Sequence, residues 1–376
     1  MFTEAALAEV TAGLAKNAET HDREASFPRD GIDAVYTVGL LTATVGTDYG
    51  GPGAGLTATT DILRALGRGD PSVALIAAMT LFAHAVHARE RNWPADLYRD
   101  VVAESRQRPV LINALRVEPE LGSPSRGGLP ATVARRVGEG WELSGRKIFS
   151  TGAEGLRWMM VFARTDEDQP RTGTFLVRAD APGITIERTW DHLGLRASRS
   201  DDVIFDRTPL PADAVTELAV PAPSQRLSPF LAWNALGIAA LYLGVADAAR
   251  DWLVGFLAER TPTSLGKPLA TLPRFQSAVG EIDTALTSAG ELVASLARRV
   301  DSGDEAAIGR AGTAKLTSTR AAIGAVELAV ALTGNNGLTR RYPLERHYRD
   351  VLCSRVHAPQ DDSILLAAGR SALGIG

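Results

Sequence analysis

The chain has 376 residues, of which 45% are hydrophobic and 22% charged, with a formal net charge of −4. At roughly 150 residues per domain, that length implies two or three domains, each able to bury a core. The mild acidity argues against a nucleic-acid partner. The single cysteine, Cys353, excludes an internal disulfide and a cysteine-built metal site. The N-terminus is acidic by Glu4 and has no apolar signal segment, which predicts a cytoplasmic protein.

Residues 1 to about 110 predict helices, with apolar residues at helical spacing in Leu7-Val10-Leu14 and Ile62-Leu63-Leu66. Asp70-Pro71-Ser72 opens an apolar helix that runs to about Val86. The glycine-rich run from Asp48 to Gly55 reads as a structural turn, because a phosphate cradle needs a preceding strand and a βαβ unit. From 111 to 222 the pattern changes to short runs rich in β-branched and aromatic residues, at 132–137, 141–148, 158–163, 174–178, 184–188 and 203–205. Such spacing suits a small β-barrel or sandwich. From about 226 the chain returns to helix, with long segments at 231–259, 275–300 and 304–332. The apolar run 231–245 is interrupted by Asn234 and followed by Asp247 and Arg250, so it predicts a buried helix and not a membrane span.

Four motifs stand in this frame. Val117-Glu118-Pro119-Glu120-Leu121-Gly122-Ser123 precedes the strands, and Gly145-Arg146-Lys147-Ile148-Phe149-Ser150-Thr151 lies within them. Gly194-Leu195-Arg196-Ala197-Ser198 follows, and Gly334-Asn335-Asn336-Gly337 leads into Tyr342-Pro343-Leu344-Glu345-Arg346 and Arg349-Asp350. With the helix–β–helix order, these motifs resemble the acyl-CoA dehydrogenase superfamily of flavoproteins. The resemblance implies an α+β fold with an N-terminal helical domain (1–110), a middle β-barrel domain (111–222) and a C-terminal four-helix bundle (223–376). It implies a flavin, FAD with FMN as the alternative. Val117 and Ser123 would lie at the ring or pyrophosphate, Thr151 would donate near the reactive nitrogen with Ser150 beside it, and Phe149 would stand where the family usually places a tryptophan. Arg260, Gln276, Gly334, Asn335 and Gly337 would reach the FAD of a neighbouring subunit in a homotetramer or dimer. Two departures accompany the match: Val117 replaces a threonine, and Pro124 an acidic residue. Arg196 is expected to be structural.

The family's catalytic glutamate position, counted on from Arg349-Asp350, falls on Ala358. The minority position on the long helix falls on Asn234, with Ala235 in place of its arginine neighbour. Neither alanine nor asparagine can act as a general base. His357 is left as either a packed histidine or the proton-handling group. His84 and His87 can point a ring at a substrate cavity, although they lack the neighbours a metal needs. His21, His192 and His347 read as surface residues. Family members without the glutamate include two-component monooxygenases, which take reduced flavin from a separate reductase. The leading expectation is therefore a reduced-flavin monooxygenase acting on a small molecule, with Thr151, Ser150, Asn234 and His357 as donors. An acyl-CoA or acyl-carrier-protein dehydrogenase with a relocated base, and a degenerate flavoprotein binding subunit, stay open.

Overall fold

A computed structural model describes residues 3–121, 128–220 and 229–375. Five helices come first: α1 (Glu4–Glu24), α2 (Arg29–Thr37), α3 (Leu56–Gly69), α4 (Pro71–Glu90) and α5 (Ala95–Ser105). The Asp70 carboxylate caps α4 by accepting from the Ser72 and Val73 N–H groups, with Pro71 in the first turn. Because α4 is buried on nearly all sides, it forms the centre of the N-terminal half. The 48–55 turn delivers the start of α3, whose Leu56 and Thr57 N–H groups donate to Asp301 at 2.7 and 2.8 Å. That helix N-terminus is already filled by the chain's own carboxylate, which agrees with a structural turn.

The strands are β1 (Leu111–Leu115), β2 (Val133–Val137), β3 (Gly140–Lys147), β4 (Leu156–Thr165), β5 (Thr172–Arg178), β6 (Ile184–Glu187), β7 (Asp202–Leu210) and β8 (Val215–Ala219). They form one mixed eight-stranded sheet in the order β6-β7-β3-β2-β4-β5-β8, with β1 parallel to β4. Sequence reading missed β1 and β8. Strand β1 is buried at four of its five positions and so shows no alternation.

Helices α6 (Pro229–Glu259), α7 (Pro273–Asp301) and α8 (Glu305–Thr333) pack on one another, followed by α9 (Asn335–Leu338), α10 (Leu344–Leu352) and α11 (Asp361–Leu373). Helix α3 lies directly on α6. A Cβ at Gly244 would sit 2.1 Å from the Arg64 carbonyl oxygen, and one at Gly67 would sit 2.2 Å from that of Leu241, so the two glycines set the approach. Arg64 forks onto Asp247 at 2.7 and 3.0 Å across the same contact. Three helices are long and apolar enough to cross a membrane, but in Pro71–Glu90 and Phe230–Glu259 most of the apolar stretch is buried inside the protein.

Helix α10 ties the parts together. Arg349 forks onto Asp22 of α1 at 2.6 and 2.9 Å and also binds Glu345. Asp350 accepts the Leu195 N–H at 2.7 Å, and burial raises its carboxyl to about 7. Arg196, at the start of a 3-10 turn (Arg196–Ser198), donates to the Asp22 carbonyl of α1 at 2.8 Å. His347 corrects the sequence reading. It is buried, with its imidazole pushed down to about 3 by burial and by Arg346. A helix with this many charged side chains looks solvent-facing, yet α10 packs on both α6 and α8.

Candidate functional site

The Val117–Leu121 segment is locked to the sheet by a buried ion pair. Glu118 and Lys147 are both fully buried, with Oε1 and Nζ 2.5 Å apart. Glu118 also accepts from the Ala131 N–H (2.6 Å), the Thr132 N–H (3.1 Å) and the Thr132 hydroxyl (2.6 Å). Burial pushes this carboxyl up, but hydrogen bonds from Lys147 and Thr132 outweigh it and hold the group below the usual range. Gly145 is required here by close approach, since a Cβ would fall 2.6 Å from the Thr132 Cα. The sequence signal for the pair was present, one opposite charge in each of two motifs, but spacing alone did not join them.

Lys147 ends β3, and the next residues turn out of the sheet. The Ile148 N–H donates to the Val117 carbonyl at 3.0 Å. Phe149 adopts φ 56°, a left-handed conformation rare outside glycine, and its ring is 53% exposed. Holding a phenylalanine there costs on the order of 1–3 kcal/mol, and such strain collects at functional positions. The exposed ring forms one wall of a cleft of about 480 Å³. Pro119, Glu120 and Ile148 continue that wall, while Trp190, His192 and Ser200 stand opposite. Trp190 and His192 stack at 3.6 Å, and Phe149 meets each edge-on at 6.3 and 5.9 Å.

The opposite wall is built by the start of β7. Asp201 accepts the Thr189 and Trp190 N–H groups at 3.0 and 2.9 Å, and the Trp190 indole donates to the Leu195 carbonyl at 3.0 Å. Asp202 accepts the Thr189 hydroxyl at 2.7 Å and pairs with Arg146 at 2.6 Å. Trp190, Ser200, Asp202 and Arg146 were not singled out from sequence as site residues, and His192 was read only as surface. The one available signal was that Asp201-Asp202 follow the Gly-x-Arg-x-Ser motif after two intervening residues.

Beneath the cleft, Thr151 is buried and its carbonyl accepts from Asn113 at 3.0 Å. Its hydroxyl oxygen accepts from Ser200 at 3.1 Å. The Ser150 hydroxyl is buried without a hydrogen-bond partner. The aromatic walls and the Ser200 hydroxyl line the cleft, with the Thr151 and Ser150 hydroxyls buried behind it. A flavin ring requires such an aromatic face and a polar edge, and the orphaned Ser150 oxygen leaves a polar contact to be made. Val117 does not itself line the cleft, although its neighbours Pro119 and Glu120 do. Ser123 lies outside the described residues.

The other expected residues fall into two further groups. Asn234 of α6 donates to the Ala358 carbonyl at 2.7 Å, so the two positions that the sequence resemblance assigns to the family's base touch each other. Lys315 of α8, fully buried, donates to the His357 and Pro359 carbonyls at 3.1 and 3.2 Å. Three successive carbonyls are thus clamped by two helices. The His357 Nε2 is buried without a partner, its ring lies 5.7 Å from that of Tyr242, and burial, with Lys315, lowers the imidazole to about 4. Arg260 directly follows α6, Gln276 lies in the first turn of α7, and Gly334, Asn335 and Gly337 follow α8. The up-and-down course of these helices, together with ring contacts of Trp252 and Phe256 to Tyr342, gathers this third group at one end of the bundle. None of its members lines the cleft.

His84 and His87 do not line the cleft. His84 Nδ1 lies 2.8 Å from the Tyr98 hydroxyl, and His87 Nε2 lies 3.1 Å from that of Tyr49. Both pack in a second apolar cluster with Trp93 and Trp158, where burial lowers them to about 3 and about 4.

Family models for the N-terminal, middle and C-terminal domains of acyl-CoA dehydrogenase match residues 1–89, 116–208 and 236–361. YdbM of Bacillus subtilis, a protein assigned to the acyl-CoA dehydrogenases, is 32% identical over 93% of this chain and 91% of that protein. L-evernosamine nitrososynthase of a Micromonospora species is 32% identical over 98% of this chain and 89% of that protein. The solved structure of KijD3 with FMN and a dTDP-linked amino-keto sugar superposes with a TM-score of 0.85 at 28% identity, covering 100% of this chain and 95% of that one.

Proposed function

The chain belongs to the acyl-CoA dehydrogenase superfamily of flavin-dependent oxidoreductases, and within it we propose that the protein works as a reduced-flavin monooxygenase. One observation carries this reading: the two positions that the sequence resemblance assigns to the family's base meet across a 2.7 Å hydrogen bond and are occupied by Asn234 and Ala358. An asparagine amide committed to a backbone carbonyl takes no proton from carbon. Relatives that include a nitrososynthase, whose product carries oxygen on nitrogen, support the same reading.

Phe149 and Trp190 would flank the flavin, with Thr151 and Ser150 at its polar edge. A bound reduced flavin supplies two electrons, with which one atom of dioxygen enters the substrate and the other leaves as water. Asn234 and Lys315 hold the His357–Pro359 loop. His357, neutral at physiological pH, would accept the substrate's proton at Nε2. A separate reductase would supply the flavin, in the cytoplasm. The cleft alone would suffice for FMN. FAD would add contacts from Arg260, Gln276 and the Gly334–Gly337 loop of a second subunit in a dimer or homotetramer.

The test is anaerobic. The protein is loaded with oxidised flavin and titrated with acyl-CoA thioesters of short to long chain. The flavin band should persist. Its bleaching by any of them would instead favour the dehydrogenase reading, with His357 as the relocated base.

A further inference from the structure

We propose that Ser200 is a positioning residue that sets the direction of the Thr151 hydroxyl, and that Ser198, Ser200 and Thr151 act as one oriented hydroxyl chain. The proposal rests on the flavin reading of the cleft. The Ser198 and Ser200 hydroxyls are 2.8 Å apart, and the Ser200 hydroxyl donates to the Thr151 hydroxyl oxygen at 3.1 Å. All three side chains are buried, while Ser200 also borders the cleft. A serine hydroxyl carries one proton. With that of Ser200 spent on Thr151, Ser198 must be the donor in the first link. The chain therefore runs one way, and among the described residues the Thr151 proton has no acceptor. Thr151 lies behind the cleft lining next to Ser200, which does line it, so that proton would be free for a group bound there.

The surrounding backbone fixes this arrangement. The Ser150 N–H donates to the Asp201 carbonyl (3.2 Å), the Gly152 N–H to that of Ser198 (2.8 Å) and the Ala153 N–H to that of Arg199 (3.2 Å). The 150–153 and 198–201 segments are thus laced together, and the three hydroxyls lie between two rigid strands of chain. Gly152 at φ 74° and Arg199 at φ 42° allow the segments to turn toward each other. A free threonine hydroxyl samples several rotamers. One that must accept from Ser200 is pre-organised to donate, so binding need not order it.

The test is a double-mutant cycle on flavin binding with Ser200→Ala, Thr151→Val and the double variant. The dissociation constant for oxidised FMN is read by fluorescence quenching, alongside the visible spectrum of the bound flavin and the melting temperature of each apoprotein. Thr151→Val should weaken binding by roughly two- to tenfold, the worth of one hydrogen bond. Ser200→Ala should produce most of that loss and shift the bound spectrum in the same direction. In the Thr151→Val background it should add nothing. Unchanged binding in Ser200→Ala, or additive losses in the double variant, would overturn the proposal while leaving the flavin site intact. Failure of the wild-type protein to bind flavin at all would remove the site reading itself.

Discussion

Lys147→Met is the sharpest probe of how the candidate site is held. In the native protein the Glu118 carboxylate has four donors: Lys147 at 2.5 Å, the Thr132 hydroxyl, and the Ala131 and Thr132 N–H groups. Methionine preserves the side-chain volume but strips the one ion-pair partner that Glu118 has among the described residues, leaving a carboxylate with no solvent exposure. Breaking one side of a buried pair typically costs about 3–5 kcal/mol. At a urea dependence of about 2 kcal/mol per molar, the unfolding midpoint should fall by roughly 2 M. Trp141 in β3 and Trp158 in β4 report the transition by fluorescence, since Lys147 bridges these strands through the Phe162 carbonyl. The double variant Glu118→Gln/Lys147→Met should regain part of the loss, because the neutral amide no longer leaves a charge buried. Flavin affinity should fall with stability in Lys147→Met, since Pro119 and Glu120 line the cleft. A Lys147→Met midpoint within experimental error of wild type, or a double variant as unstable as the summed single losses, would refute this account.

Phe149→Ala should leave the melting temperature nearly unchanged, because the ring is half exposed, while weakening FMN binding by a few-fold to tenfold, as expected for one lost aromatic contact. Stability should fall as the pH drops from about 6.5 toward 4. His84, His87, His347 and His357 are held neutral in the fold at values near 3 to 4, so unfolding takes up their protons. Asp350, raised to about 7, and the buried Asp70, also raised, release protons on unfolding, so the fall in urea midpoint should reflect a net uptake smaller than the four histidines alone would give. Asn234→Ala frees the Ala358 carbonyl and should reduce turnover with FMN affinity retained, because Asn234 does not line the cleft. Equal loss of both would place Asn234 in the flavin site.

The long helices α6, α7 and α8 were legible because each sustains helical periodicity far beyond the length of a strand. Of the near wall, Phe149 alone was singled out from sequence, while Pro119, Glu120 and Ile148 stand within the two quoted motifs. The far wall was not legible. Trp190 and Ser200 meet Phe149 only because Asp201 captures two backbone N–H groups 11 and 12 residues upstream. That contact leaves no trace in periodicity. His347 misled for the opposite reason. Among arginines and a glutamate its neighbours look solvated, yet Arg346 and Asp350 are buried beside it.

The central claim, oxygen chemistry on a bound flavin, is tested most directly by mixing the anaerobically reduced FMN–protein complex with oxygenated buffer. Oxygen uptake and the return of the oxidised-flavin band are recorded together in one rapid-mixing experiment. A monooxygenase site should consume oxygen first and regain the band in a later, slower phase, with Phe149→Ala shortening the lag between them. Simultaneous recovery of both signals, or a reduced complex that does not react with oxygen, would contradict the account.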